Sequence, residues 1–484
     1  MTLEKLKTLY GDAYSQAINS ESNLFLEGMC ASCPALLFAG IYNKINAPAI
    51  LFVLQDQETA AYFYHDLCQI SDSENIFFFP SSYKRSITFG QIDQANVLLR
   101  TTVLSHLTSP KDGDRKQCFY IVSYPEAIAE KVPAANGFKR NSISLHVGQD
   151  INRDDLQSHL YNMGFTFDDY VYEPGQYATR GSILDIYSFS SEYPYRIDFF
   201  GDTIDSIRTF SIDDQLSKEA VDNITLVPRI NAAQDEYTIV TDFLPNGSII
   251  ATDNLDLFLD QIESIHDNVT ADSIASKMRS AQSMAENECE SHIYVVLRSE
   301  IETSLTSFKQ IWFGQHAPLS AVSGTYHTIR FDLTPQPLFQ KNFELVQGEL
   351  SRALGKGYKI YILTDNTKQT DRLDAIFRER GCNIAFTAVE KTLHQGFADN
   401  KLKVCLYTDH QIFDRYHKYS LKSDAARIGK AAISIKELSQ FQLGDYIVHI
   451  DHGIGKFGGL VKIPVGNTMR EVVKIIYKND DVGF

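Results

Sequence analysis

Residues 28–35 read Gly-Met-Cys-Ala-Ser-Cys-Pro-Ala, between a short apolar run (residues 23–26) and a helix-forming stretch. A strand, a glycine and a helix in that order are the setting of a phosphate-binding loop, where backbone amides and a helix N-terminus cradle an anion. The chemistry needs GxxxxGK[ST], with a lysine for the β- and γ-phosphates and a hydroxyl for magnesium. The last three of those positions carry Cys33, Pro34 and Ala35. No cation and no magnesium ligand remain, and the proline removes an amide donor. A second position agrees. The apolar run 248–252 ends in Asp253-Asn254, where a hydrolytic strand would end in Asp-Glu, and Asn254 is no base. The reading is a degenerate nucleotide site that neither binds nor hydrolyses ATP, in a chain that is not an enzyme and needs no cofactor.

Other reactive groups are sparse. The seven cysteines stand at 30, 33, 68, 118, 289, 382 and 405. Only Cys30 and Cys33 form a CxxC, and a four-thiolate zinc site needs a second pair. An odd, scattered count points to a reducing compartment. His449 and His452 have no third ligand nearby and read as structural; His394, close to Gly396-Phe397, reads as a hydrogen-bonded turn residue. No metal is expected.

Residues 173–211 suggest a different kind of site. The apolar run 183–187 is broken by one carboxylate, and residues 195–199 alternate as a half-buried strand does. Pro174-Gly175 and Gly201-Asp202 mark turns. Arg180 and Arg196 sit where strands start, Arg208 follows, and Phe200 lies beside the second turn. Guanidinium forks grip carboxylates in pairs, and an exposed aromatic makes an interface anchor. The competing reading of each arginine is a local surface salt bridge of small energy.

The positioning elements follow from the whole chain. At 484 residues it holds several domains, each with its own core. Forty-five basic against 61 acidic residues give a net charge of −16, which disfavours tight nonspecific binding of DNA across the whole surface. The polar N-terminus lacks a signal-peptide core, and no apolar run is long enough to span a bilayer, so a cytoplasmic protein is expected; a monomer is expected as well. Up to about residue 140, strands at 49–54, 76–79 and 118–122 alternate with helices at 58–70 and 91–107, which predicts an α/β layer with a parallel sheet. The same alternation resumes after 232, with a helix over 255–287 and a strand at 292–297. Residues 331–414 predict a small α/β unit, with strands at 358–363, 382–386 and 404–408. Residues 415–436, rich in Lys and Arg, read as a linker.

With those residues in view, Pro174-Gly175-Gln176-Tyr177-Ala178-Thr179-Arg180-Gly181 and Pro194-Tyr195-Arg196-Ile197-Asp198-Phe199-Phe200-Gly201-Asp202, completed by Ile204, Ser206-Ile207-Arg208 and Phe210, resemble the second domain shared by UvrB and the transcription-repair coupling factors (Mfd). The resemblance implies a docking domain for UvrA, with Arg180, Arg196, Phe200 and Arg208 as its binding residues. It also accounts for the ruined phosphate loop, because the coupling factors have lost a nucleotide site that UvrB keeps.

A second resemblance lies at the end of the chain. Leu443-Gly444-Asp445-Tyr446-Ile447-Val448-His449 and His452-Gly453-Ile454-Gly455-Lys456-Phe457 are similar to the CarD-like RNA polymerase interaction domain. A strand to 450, a second through 460, a Gly466-Asn467 hairpin turn and a third strand over 472–477 fit a small twisted barrel. The resemblance implies contact with the polymerase β subunit through Ile463. It also implies a motor beyond residue 484, to which ATP, magnesium and most DNA contact would belong.

The expected fold is multidomain α/β. A degenerate RecA-like domain (1–140 and 231–330) is interrupted by a UvrB-type domain (141–230), then followed by a small α/β domain (331–414), a linker (415–436) and a partial SH3/Tudor-like barrel (437–484). The expected function is that of an adaptor joining UvrA to stalled RNA polymerase in transcription-coupled nucleotide excision repair. The rivals are a UvrB-type helicase/ATPase, which the loop opposes, and a stand-alone CarD-type regulator, which the first two-thirds of the chain opposes.

Overall fold

The computed structural model describes residues 3–483 except 72, 74, 84–91, 109–117, 135–141, 192, 213–214, 228–236, 281–293, 320–323, 382–383, 418, 420–443, 450–452, 466–467 and 478–481. The chain forms two compact units, Met1–Asp424 and Ala425–Phe484.

The first unit is built on a seven-stranded sheet in the order Tyr326–Arg330, Asn23–Glu27, Lys309–Gly314, Ile249–Thr252, Ala49–Val53, Phe119–Ser123 and Ile76–Phe78. Every pairing in it is parallel. Ala-Ile-Leu-Phe-Val at 49–53 is buried at all five positions, as a central parallel strand covered on both faces must be. Helices Cys33–Ile41, Gln57–Ile70 and Gln94–Thr108 lie in the connections, and Leu3–Ile18 precedes the first strand. Three of the strands come from beyond residue 248, so the sheet is completed only after the chain has made residues 143–226 and returned.

Those intervening residues form a six-stranded sheet in the order Ser217–Ala220, Thr203–Phe210, Tyr195–Phe200, Ile183–Ile186, Gln176–Arg180 and Thr166–Phe167. All its pairings are antiparallel except the last. The pairing shifts register between Asp198 and Phe199, where Asp205 of the neighbouring strand is the extra residue. Alternation then buries Ile197 and Phe199 and exposes Phe200. Residues 333–408 form a mixed five-stranded sheet in the order Leu333–Pro335, Phe397–Asp399, Val404–Thr408, Lys359–Leu363 and Thr387–Val389. Helices Phe343–Gly355 and Thr367–Glu379 pack on it through a separate core that includes Val346, Leu350, Ile362, Leu373 and Phe377.

The second unit contains an open four-stranded antiparallel sheet of Tyr446–His449, Gly453–Val465, Thr468–Ile476 and Val482–Gly483. The hairpin falls between Val465 and Thr468, where it was expected. The sheet does not close into a barrel among the described residues.

Several local expectations need correction. Among the described residues of the strand expected at 292–297, only Val295 pairs, in a single bridge to Glu130. Residues 384–386 are irregular, and the strand lies just beyond, at Thr387–Val389. The edge strand Tyr326–Arg330 was missed because half-exposed residues give it no apolar run. The helix from Leu255 is described to Ser280, and the rest of the 255–287 expectation lies outside the described residues, as does the linker beyond 420.

Candidate protein-docking surface

The arginines expected to dock a partner are turned largely toward the domain itself. Asp185, in the strand Ile183–Ile186, is fully buried. Arg196 forks onto it, with Nε donating to Oδ1 at 2.8 Å and Nη2 to Oδ2 at 3.0 Å, and its Nη1 donates to the carbonyl of Gln215 at 3.0 Å. Arg180 donates to the same Asp185 Oδ2 and lies over the ring of Tyr170. A buried carboxylate needs such partners, because an unpaired charge out of water is strongly unfavourable. The Asp185 bonds also push the Arg196 guanidinium above its ordinary range. Arg208 is looser, 3.9 Å from Asp198 and 3.3 Å from the Ser206 hydroxyl.

Phe200 is different. It is 84% exposed at the end of its strand, next to Gly201 in a left-handed turn. Within the Asp185–Arg180–Arg196 cluster, Arg180 keeps the more exposed edge, 38% by side chain against 16% for Arg196. Sequence reasoning missed Asp185 as the organiser, although the one carboxylate in an apolar run was the visible signal.

The nucleotide-type cleft can also be placed. The strands Asn23–Glu27, Ala49–Val53, Ile249–Thr252 and Lys309–Gly314 end at a cavity of about 510 Å³, lined by Cys30, Pro34, Asp56, Asp66, Asp253 and His394 among others. The carboxyl ends of parallel strands are where such folds bind ligands. The lining holds four carboxylates, Asp56, Glu58, Asp66 and Asp253, and no Lys or Arg. Burial pushes Asp66 up to about 7 and Asp253 up to about 6. These residues do not fit a nucleotide polyphosphate. Gly28 serves geometry instead: its φ is +84°, and a Cβ there would lie 2.5 Å from the Phe331 carbonyl oxygen. Cys30 and Cys33 are free thiols, raised by burial. No cluster able to hold a metal occurs among the described residues.

Two family models match parts of the chain. The UvrB interaction domain matches residues 143–231, and the CarD-like/TRCF RID domain matches residues 441–484. The transcription-repair-coupling factor of Bacillus subtilis (strain 168) is 24% identical over 94% of this chain and 43% of its own length. That of Staphylococcus aureus (strain USA300) is 22% identical over 97% of this chain and 45% of its own length. The chain is homologous to the N-terminal region of the transcription-repair-coupling factors. It spans less than half the length of the coupling factors it matches.

The six-stranded sheet with Phe200 lies in the UvrB interaction domain match. The open terminal sheet lies in the CarD-like/TRCF RID match. There Ile463 lies in the strand Gly453–Val465, opposite Arg470. Its side chain lies outside the described residues, as do that of His449 and the whole of His452. Tyr446 and Ile454 stand exposed on this sheet, at 73% and 68%. Among the described residues, no helix is long and apolar enough to cross a membrane.

Proposed function

We propose that this chain is the adaptor portion of a transcription-repair coupling factor. Its UvrB-type domain docks UvrA through Phe200 and the outer edges of Arg180, Arg196 and Arg208. Its terminal domain contacts the RNA polymerase β subunit through Ile463, so that polymerase stalled at a lesion is joined to nucleotide excision repair. The chain itself is not an ATPase, and it works as a cytoplasmic monomer. ATP, magnesium and the main DNA contacts belong to motor domains of the longer protein. The observation that carries this reading is the presence in one chain of a UvrB interaction domain and a CarD-like/TRCF RID domain.

In this reading residues 1–140 and 231–330 make one RecA-like domain that has lost its nucleotide chemistry. Residues 141–230 are its inserted docking domain, 331–414 a separate small domain, 415–436 a linker, and 437–484 part of an SH3/Tudor-like barrel. The seven parallel strands drawn from both sides of the insertion support the first of these assignments. The test is a pair of pull-downs with purified UvrA and with a polymerase β fragment. Both are retained by the chain, and Ile463→Asp weakens the second alone, since a charge would be desolvated at an apolar contact. Failure to retain either protein refutes the adaptor reading.

A further inference from the structure

A phosphate loop works by aiming the free amides ahead of a helix at an anion. In this chain that position is filled from within. Ser32 precedes the helix Cys33–Ile41, and its amide donates to the backbone carbonyl of Gln395 at 3.2 Å. The Gln395 amide returns to the Ser32 hydroxyl at 3.0 Å. The neighbouring His394 amide donates to Asp66 Oδ1 at 2.7 Å, on the helix Gln57–Ile70. The His394 ring stacks on Tyr62 of that helix, with centroids 3.5 Å apart and planes 16° apart. Thr392 and Leu393, just before, are buried.

The contact extends well beyond the loop. The Tyr10 hydroxyl on the first helix donates to buried Asp399 of the mixed five-stranded sheet. The Tyr62 hydroxyl donates to the carbonyl of His417 at 2.7 Å. Lys401 reaches the carbonyl of Arg330 at 2.9 Å. Every one of these bonds joins the parallel-sheet part to residues 392–417.

We infer that residues 392–395 are a built-in occupant of the former phosphate loop, placing a carbonyl oxygen where a phosphate oxygen would lie. The small mixed-sheet part then has a definite task. It replaces a nucleotide as the cap of the loop and turns a ligand-operated cleft into a fixed joint. This rests on the reading of the nucleotide site as degenerate, and it goes further: exclusion of nucleotide is steric and electrostatic, independent of the missing lysine. The carboxylates Asp56, Glu58 and Asp253 lining the remaining cavity act in the same direction, since a polyphosphate would meet like charge.

The test has two arms. In the first, amide hydrogen exchange is followed on the full wild-type chain. The amides of Ser32, His394 and Gln395 are expected to be protected together, and Tyr62→Ala or Asp66→Ala to speed all three about tenfold or more, leaving the six-stranded sheet unchanged. If Ser32 exchanges in the wild type as an exposed loop does, the joint is refuted without any variant. In the second arm, Cys33→Gly, Pro34→Lys and Ala35→Thr are combined, and titrated with fluorescent ADP and magnesium beside the wild type. Both proteins are expected to show no saturable binding. Binding by the restored loop alone overturns the built-in occupant and leaves the degenerate-site reading intact. Binding by the wild type overturns the degenerate-site reading as well.

Discussion

Arg196 and Asp185 share two hydrogen bonds, at 2.8 and 3.0 Å, and the carboxylate between them is fully buried. The pair therefore belongs to the interior of the docking domain as much as to its surface. Arg196→Glu would set a second carboxylate against Asp185. Removing one partner of a buried pair typically costs about 3–5 kcal/mol. The expected outcome is a large fall in the thermal stability of this domain together with lost UvrA binding. A variant that melts like the wild type would show that the pair does not hold the sheet.

Phe200 gives the cleaner test of docking. It is almost wholly exposed, so Phe200→Ala removes little from the fold. Truncating an interface anchor costs about 2 kcal/mol or more of binding. Calorimetry with UvrA should show roughly thirtyfold weaker binding with an unchanged melting temperature, at 1.4 kcal/mol per decade. Equal affinity for wild type and variant would place the docking surface elsewhere.

Arg100 is fully buried under the loop that follows the aromatic strand. It donates to the carbonyls of Pro80, Ala127 and Glu130, and stacks over Phe79. The Glu130 carboxylate in turn accepts from the Ser82 amide and the Ser81 hydroxyl. Arg100→Ala leaves Glu130 buried without its cation. A loss of about 3–5 kcal/mol in denaturant unfolding is expected, with Arg100→Lys recovering only part, because one ammonium cannot reach all three carbonyls.

The joint around residues 392–417 should respond to acid in two opposed ways. Burial, then the neighbouring histidines, push His394 down to about 4 and His417 down to about 3. Around them lie His65 and Tyr62 from the parallel-sheet part, and His410, Asp365, Asp409 and Arg415 from the small part. Below about 6.5 the unfolded chain takes up protons that these two rings refuse, so stability falls as pH drops toward 4. Asp66 has the other sign. Raised to about 7, it is protonated in the folded chain where the unfolded carboxyl is ionised, so stability rises as pH drops from 7 toward 4. Urea titrations at several pH values should show His417→Asn less acid-sensitive than wild type, and Asp66→Asn more so. Identical pH profiles for all three would refute the assignment.

Much of the candidate site was legible before any coordinates. Pro34 and Asn254 stand where phosphate chemistry calls for Lys and Glu, and the strand and turn spacing of residues 173–211 marks the domain that the UvrB interaction model matches. Alternating apolar runs also announce the parallel strands at 49–53 and 119–123. Tyr326–Arg330 was not legible, since an edge strand is held by backbone pairing with Asn23–Glu27 and its side chains carry no pattern. The small unit's last parallel strand was displaced to Thr387–Val389 for a similar reason: its residues are mostly exposed, and the apolar signal lies just upstream.

By itself the sequence determined which modules this chain resembles and set the expectation of a degenerate nucleotide site. Those conclusions depend on residue types at fixed local spacing, and local spacing is visible in a string. Only the tertiary structure decided where the charges point. Asp185, Arg180 and Arg196 converge because three antiparallel strands bring residues 5 to 16 positions apart side by side. Gln395 meets Ser32 across 363 residues of chain, through a contact in which the backbone takes part on both sides. The groups Gln395 offers are its backbone carbonyl and amide, the same at every residue, so its side chain could not announce the partner; the packing of His394 and His417 against the helix Gln57–Ile70 selects it.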